Sequence, residues 1–80
     1  MKLNIESTTK IVTLETTSGI MMARIWEGET ESGVPVHCFI TRLAPTIPKD
    51  DPRQAEFERE LEETRAPSAA VLACPSRLIL

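Results

Sequence analysis

The sequence predicts an α+β fold: a three-stranded antiparallel β-meander packed against a C-terminal amphipathic acidic helix. A short second helix and a terminal strand are further candidates beyond it. Three observations carry this expectation. β-Branched and aromatic residues gather between Lys10 and Leu43 in three runs, separated by turn signals. The connections between the runs are too short for crossovers, so neighbouring runs pair as antiparallel hairpins. From Asp50 to Glu63 the composition then changes sharply, with seven acids against two bases and a local charge of −5. The whole chain is −3, so everything outside that stretch sums to +2.

The first strand is expected over Lys10–Thr16 and the second over Ile20–Glu27, with Ser18-Gly19 as the turn. Gly28 to Gly33 reads as a polar loop bracketed by glycines, and Val34–Leu43 as the third strand. With a symmetric second loop, Ile25 sits opposite Val36, Ala23 opposite Cys38 and Met21 opposite Ile40. With Ser18-Gly19 as a two-residue turn, Leu14 pairs with Ala23 and Val12 with Ile25. The first face is then Val12, Leu14, Met21, Ala23, Ile25, Val36, Cys38 and Ile40, all apolar and expected to be the core. The second face, mixed in character, holds Ile11, Thr13, Glu15, Met22, Arg24, Trp26, His37, Phe39 and Thr41. A one-residue slip in either hairpin would scramble this division.

Leu43 to Lys49 is punctuated by Pro45 and Pro48 and reads as a connector. A helix is expected over Asp51–Arg65. Asp51 suits its N-cap, Pro52 its first turn, and Gln54 the third position of a capping box. Phe57 and Leu61, four apart, make a narrow apolar stripe that can dock on the first face. If Phe57 is fully buried there, its truncation to alanine should cost about 3–5 kcal/mol. Ala66-Pro67 ends the helix. Ser68 can cap a short turn through Ala73, and Arg77–Leu80 can cover an edge or add a strand.

Eighty residues make a single domain, 1–80, with a small core, and oligomerisation is a common remedy for such a core. A pI near 5.1 argues against direct nucleic-acid binding through phosphates. No apolar run approaches the roughly 18 residues that would cross a membrane. The N-terminus lacks the apolar stretch of a secretory signal, so the expected compartment is cytoplasmic. No cofactor or metal is expected. His37 is the only histidine, and a strand aims it away from its neighbour Cys38. No nucleophile elbow or phosphate-binding loop occurs, so no catalytic residue is assigned and the chain is not expected to be an enzyme.

Two surfaces are candidates for a partner. The first is acidic: Asp50, Asp51, Glu56, Glu58, Glu60, Glu62 and Glu63, with Glu27, Glu29 and Glu31 as an extension. Its bland reading is a solvated helix face with Glu56–Arg59 and Arg59–Glu63 ion pairs. Glu56–Glu60 and Glu58–Glu62 are like-charge neighbours, which helix stability alone does not favour. Its functional reading is a mimic of nucleic-acid charge that meets a basic protein surface. The second candidate is Met22, Arg24, Trp26, His37 and Phe39 on the second face, residue types common in interface cores. Its bland reading is cover by the N-terminal segment or the C-terminal tail; a homodimer through this face or a strand edge is the alternative. Cys38 and Cys74 read as free thiols. Any disulfide is expected between chains, through Cys74.

The stretch Arg24–Arg42, with Trp26-Glu27-Gly28 and Val34-Pro35-Val36-His37-Cys38-Phe39, and the tail Thr64–Leu80 resemble small proteins of bacteria and their phages or mobile elements. That resemblance covers about 40% of the chain. In size, charge and class the chain is also similar to anti-CRISPR proteins, including type I inhibitors that bind the surveillance complex and block its DNA. Those proteins share no sequence signature, so the likeness assigns no residue. It implies a non-enzymatic inhibitor in the cytoplasm of a bacterial host, with a CRISPR effector complex as partner. The alternative is a dimeric accessory protein that binds through the Trp26/Phe39 face.

Overall fold

The computed structural model describes residues 1–80. It contains β1 (Leu3–Thr16), β2 (Gly19–Thr30), β3 (Pro35–Ile40), α1 (Arg53–Leu61), α2 (Ala69–Leu72) and β4 (Arg77–Ile79). The strands form one mixed sheet in the order β3-β2-β1-β4. Both hairpins are antiparallel, and β4 joins β1 in parallel. The α+β class stands. The sheet is mixed and four-stranded where a three-stranded antiparallel meander was expected, because the C-terminal tail adds β4 in parallel beside β1.

β1 is twice the expected length. It begins at Leu3 and pairs with β2 over two registers, Leu3↔Thr30 to Ser7↔Trp26 and Ile11↔Arg24 to Thr16↔Gly19. Between them Thr8, Thr9 and Lys10 bulge against Ile25 alone. The bulge turns Thr8 inward, where it is wholly buried. Its hydroxyl donates to the Ile25 carbonyl at 2.7 Å, replacing the missing ladder bond, and accepts from the Lys10 N–H at 3.2 Å. The polar run Ser7-Thr8-Thr9 hid this strand from a pattern reading.

The first hairpin turns at Thr17-Ser18, one residue earlier than expected, so Val12 pairs with Ala23 and Leu14 with Met21. That is a slip of two residues, and it preserves the faces. The second hairpin does not preserve them. Its loop is only three residues, Glu31-Ser32-Gly33: the Thr30 N–H donates to the Val34 carbonyl at 2.9 Å and the Gly33 N–H to the Thr30 carbonyl at 2.9 Å. Gly33 takes φ +90°, which this type of loop requires at its last position. Ile25 therefore pairs with Phe39, Trp26 with Cys38 and Glu27 with His37. β3 is inverted relative to the expectation. His37 and Phe39 lie on the first face, and Val36, Cys38 and Ile40 on the second.

Gly28 explains the error. It reads as a loop boundary but lies inside β2, opposite Ile5. A Cβ there would fall on the Asn4 carbonyl oxygen and within 2.8 Å of Ile5 Cα.

The core is Val12, Leu14, Ala23, Ile25 and Val71, with Cys74 and Leu78 packed against it. Its cover is α2, not the acidic helix. The segment from Arg65 onward runs along the free edge of β1. The Arg65 N–H donates to the Ser7 carbonyl at 3.1 Å and the Thr9 N–H to the Arg65 carbonyl at 3.0 Å. The chain then leaves the edge as α2, drops Val71 onto the first face, and returns as β4 beside Thr13–Glu15. Ser68 caps α2 as expected, accepting from the Val71 N–H at 3.4 Å.

α1 is shorter than the expected Asp51–Arg65 and buries none of its residues. Pro52 occupies the N-cap and offers no side-chain bond; Asp51, one residue earlier, takes that part, its Oδ1 accepting from the Arg53 N–H at 2.8 Å. The reciprocal half of the capping box is not made, because the Asp51 N–H donates to the Pro48 carbonyl at 3.0 Å. Phe57 and Leu61 lie beside Trp26 on the second face, so the helix docks on the side opposite to that expected.

Candidate functional site

The second face and α1 together line a groove of about 370 Å³. Ile5, Trp26 and Leu43 line it from the sheet side, and Phe57 and Leu61 from the helix. Glu6, Glu60 and Glu63 form an acidic rim, with Arg65 at one end. Helix periodicity sets Phe57 and Leu61 toward Trp26 and leaves glutamates on both flanks.

The charge of this region is sorted by pairing. Asp51 and Arg53 bind each other through two side-chain bonds, the shorter 2.7 Å, and this contact holds the Asp51 carboxyl below its ordinary value. Glu56 and Arg59 form a loose, exposed pair at 3.8 Å. Arg59 and Glu63 do not pair, because the helix stops at Leu61. Asp50, Glu58, Glu60, Glu62 and Glu63 make no ion pair. Those five unpaired carboxylates account for the local charge of −5 read from the sequence.

Glu27 does not extend this acidic surface. Its carboxylate is 12% exposed and is held from three directions. Ser68 donates its hydroxyl to Oε1 at 2.6 Å and its N–H to Oε2 at 2.8 Å, and Arg65 Nη1 lies 3.2 Å from Oε2. The Ser68 hydroxyl, then the Ser68 N–H, draw the Glu27 carboxyl below its ordinary value; burial opposes them, and the Arg65 charge adds a smaller downward pull. Arg65 also reaches the Glu27 carbonyl at 3.4 Å and Glu6 at 3.7 Å. Glu27 thus clasps the C-terminal segment to β2. Sequence reasoning missed the clasp because its partners are 38 and 41 residues away.

The second predicted surface is divided. Met22, Arg24 and Trp26 remain on the second face, while the inverted β3 carries His37 and Phe39 to the other side of the sheet. Trp26 and Phe39 therefore cannot serve one interface patch. His37 meets Phe39 edge-on, ring centroids 5.6 Å apart, and its Nε2 lies 3.9 Å from Cys74 Sγ. Arg24 Nη1 donates to the Thr8 carbonyl at 2.8 Å, bracing the bulge.

Both cysteines are free and half-buried. Cys38 lies beside Trp26 on the second face rather than in the core, and burial pushes its thiol up. No group of three or more His, Cys, Asp or Glu side chains is placed to hold a metal ion. No helix is long and apolar enough to cross a membrane. No protein-family model matches the chain, and neither a curated protein nor a solved structure is detectably similar to it.

Proposed function

We propose that this chain is a non-enzymatic protein-binding module whose working surface is α1 and the groove beside it, and that its partner presents a basic surface. The observation that carries this reading is the unpaired charge of α1. The helix adds no buried residue to the core, yet it and its C-terminal end carry Glu58, Glu60, Glu62 and Glu63, of which Glu60 and Glu63 line the groove beside Trp26. Such a row costs helix stability through like-charge neighbours and is favourable only against positive charge. Apolar side chains from the partner can fill the space between Trp26, Phe57 and Leu61. Basic groups around them meet Glu60 and Glu63 at the rim.

A nucleic-acid-binding groove is the kind of basic surface that fits best, since it already accepts a line of negative charge. Within that class, the resemblance to anti-CRISPR proteins names a type I surveillance complex. The test combines a purified complex, its target duplex and the triple variant E56K/E60K/E63K. The wild-type chain is expected to displace the duplex, less effectively as salt rises, and the variant to lose that effect with an unchanged far-UV circular dichroism spectrum. Displacement that survives the triple reversal at low salt removes α1 as the contact. No displacement by the wild type removes this partner.

A further inference from the structure

A β-sheet with two apolar faces needs a layer over each. In this chain the first face has α2, and the second has α1 and the connector after β3, whose Leu61 and Leu43 reach the hollow lined by Ile11 and Met22. Toward the β1–β2 turn the second face is bare. The register sets Ile20 and Ile79 on either side of Glu15, and Met22 beside Thr13. Ile11 and Ile40 flank Arg24 in the next row. Ile20, Met22 and Ile79 are 66%, 65% and 82% exposed. Arg77 is paired with Glu15, and Arg24 with the Thr8 carbonyl. An apolar layer can therefore lie over the Ile20–Ile79 end, where the charges of Glu15 and Arg77 compensate each other.

The size of the deficit indicates the occupant. The accessible surface is 6080 Å², against about 4,800 Å² for an average folded monomer of this mass. The radius of gyration is 14.3 Å, against about 12 Å for a compact chain of this length. The excess over the whole chain, roughly 1,300 Å², is large enough to include the roughly 800 Å² that each partner contributes to a standard stable interface. Interfaces between identical chains are also the more apolar class, which matches a patch of isoleucine and methionine.

We infer that the bare end of the second face is a homodimer interface. Two copies stack these faces about a two-fold axis, as the two layers of a β-sandwich. Ile11, Ile20, Met22 and Ile79 form its centre. The unpaired glutamates of α1 remain outside it, so this inference is independent of the proposed function.

Sedimentation equilibrium of the full chain from about 1 to 100 µM tests it. The expected mass is twice 8.9 kDa. Met22→Glu and Ile20→Glu are each expected to weaken self-association about 100-fold, as a charge placed at an interface centre does. Phe39→Lys, which marks the β3 edge and the opposite face, is expected to leave it unchanged, as is E56K/E60K/E63K. Ile79→Ser repeats the test outside the hairpin should a glutamate there disturb folding. A mass of 8.9 kDa throughout overturns the inference. So does a dimer as tight in Met22→Glu and Ile79→Ser as in the wild type. Dissociation by Phe39→Lys alone would assign the contact to the β3 edge instead. A monomer that co-sediments with phosphatidylcholine vesicles would assign the patch to a lipid surface.

Discussion

Glu27 shows how much of this small fold depends on one polar side chain. Three donors converge on its carboxylate, and all come from the segment that carries α2. Glu27→Gln keeps the shape but removes the charge, and one amide oxygen cannot receive every bond. The expected loss is about 1–3 kcal/mol, read from urea denaturation. Because its folded pKa is depressed, the stability Glu27 contributes is complete above the ordinary carboxylate range. That contribution fades as pH falls through the lowered value. Glu27→Gln should flatten this acid limb, and an identical acid limb in the variant would show that Glu27 is not its source. Gly28, the next residue, has the opposite character: what matters there is the missing side chain. Gly28→Ala drives a Cβ into the β1 backbone at Asn4 and Ile5, and should cost about 1–3 kcal/mol or more. Hydrogen exchange should show protection lost first over Leu3–Ser7.

At the scale of elements, the two helices exchange the parts that a sequence reading assigns them. α1 has the length, the acidic first turn and the apolar stripe of a packing helix, yet its Phe57 is only half-buried and its Leu61 is exposed. α2 is four residues long and supplies Val71, 1% exposed. Val71→Ala should therefore cost about 2 kcal/mol, from two lost methyl groups and the cavity left behind. Phe57→Ala should cost about 1–2 kcal/mol, below the 3–5 expected of a fully buried phenylalanine, because part of the ring stays exposed. Chemical denaturation of both variants decides the order, and a larger loss in Phe57→Ala would mean that α1 is the true cover of the core. The strands show where pattern reading succeeds. β1 and β2 alternate cleanly, so their faces were legible even though the turn is displaced by one residue. β3 was not, because Val36, Cys38 and Ile40 are as apolar as a core strand should be. Only the odd loop length, set by Gly33 in a left-handed conformation, turns them to the other side.

For the whole molecule, charge and surface are the informative quantities. Five carboxylates without ion-pair partners, Asp50, Glu58, Glu60, Glu62 and Glu63, lie on α1 and its two ends, and an apolar sheet end lies apart from them. Binding that depends on the first should weaken steeply with salt, whereas association through the second should persist or strengthen. Measuring partner binding and self-association across a salt series should separate the two surfaces; identical salt dependence would mean that they are one. The sequence by itself determined the α+β class, the small core, the charge of the acidic segment, the cap at Ser68, and the faces of the first two strands. All of these follow from local periodicity, turn chemistry and composition. Only the tertiary structure decided which way β3 faces, which helix covers the core, that Glu27 is clasped rather than free, and which end of the sheet is left bare. Those outcomes depend on loop parity and on contacts between residues tens of positions apart. Neither leaves a mark in any window of sequence short enough to show a period.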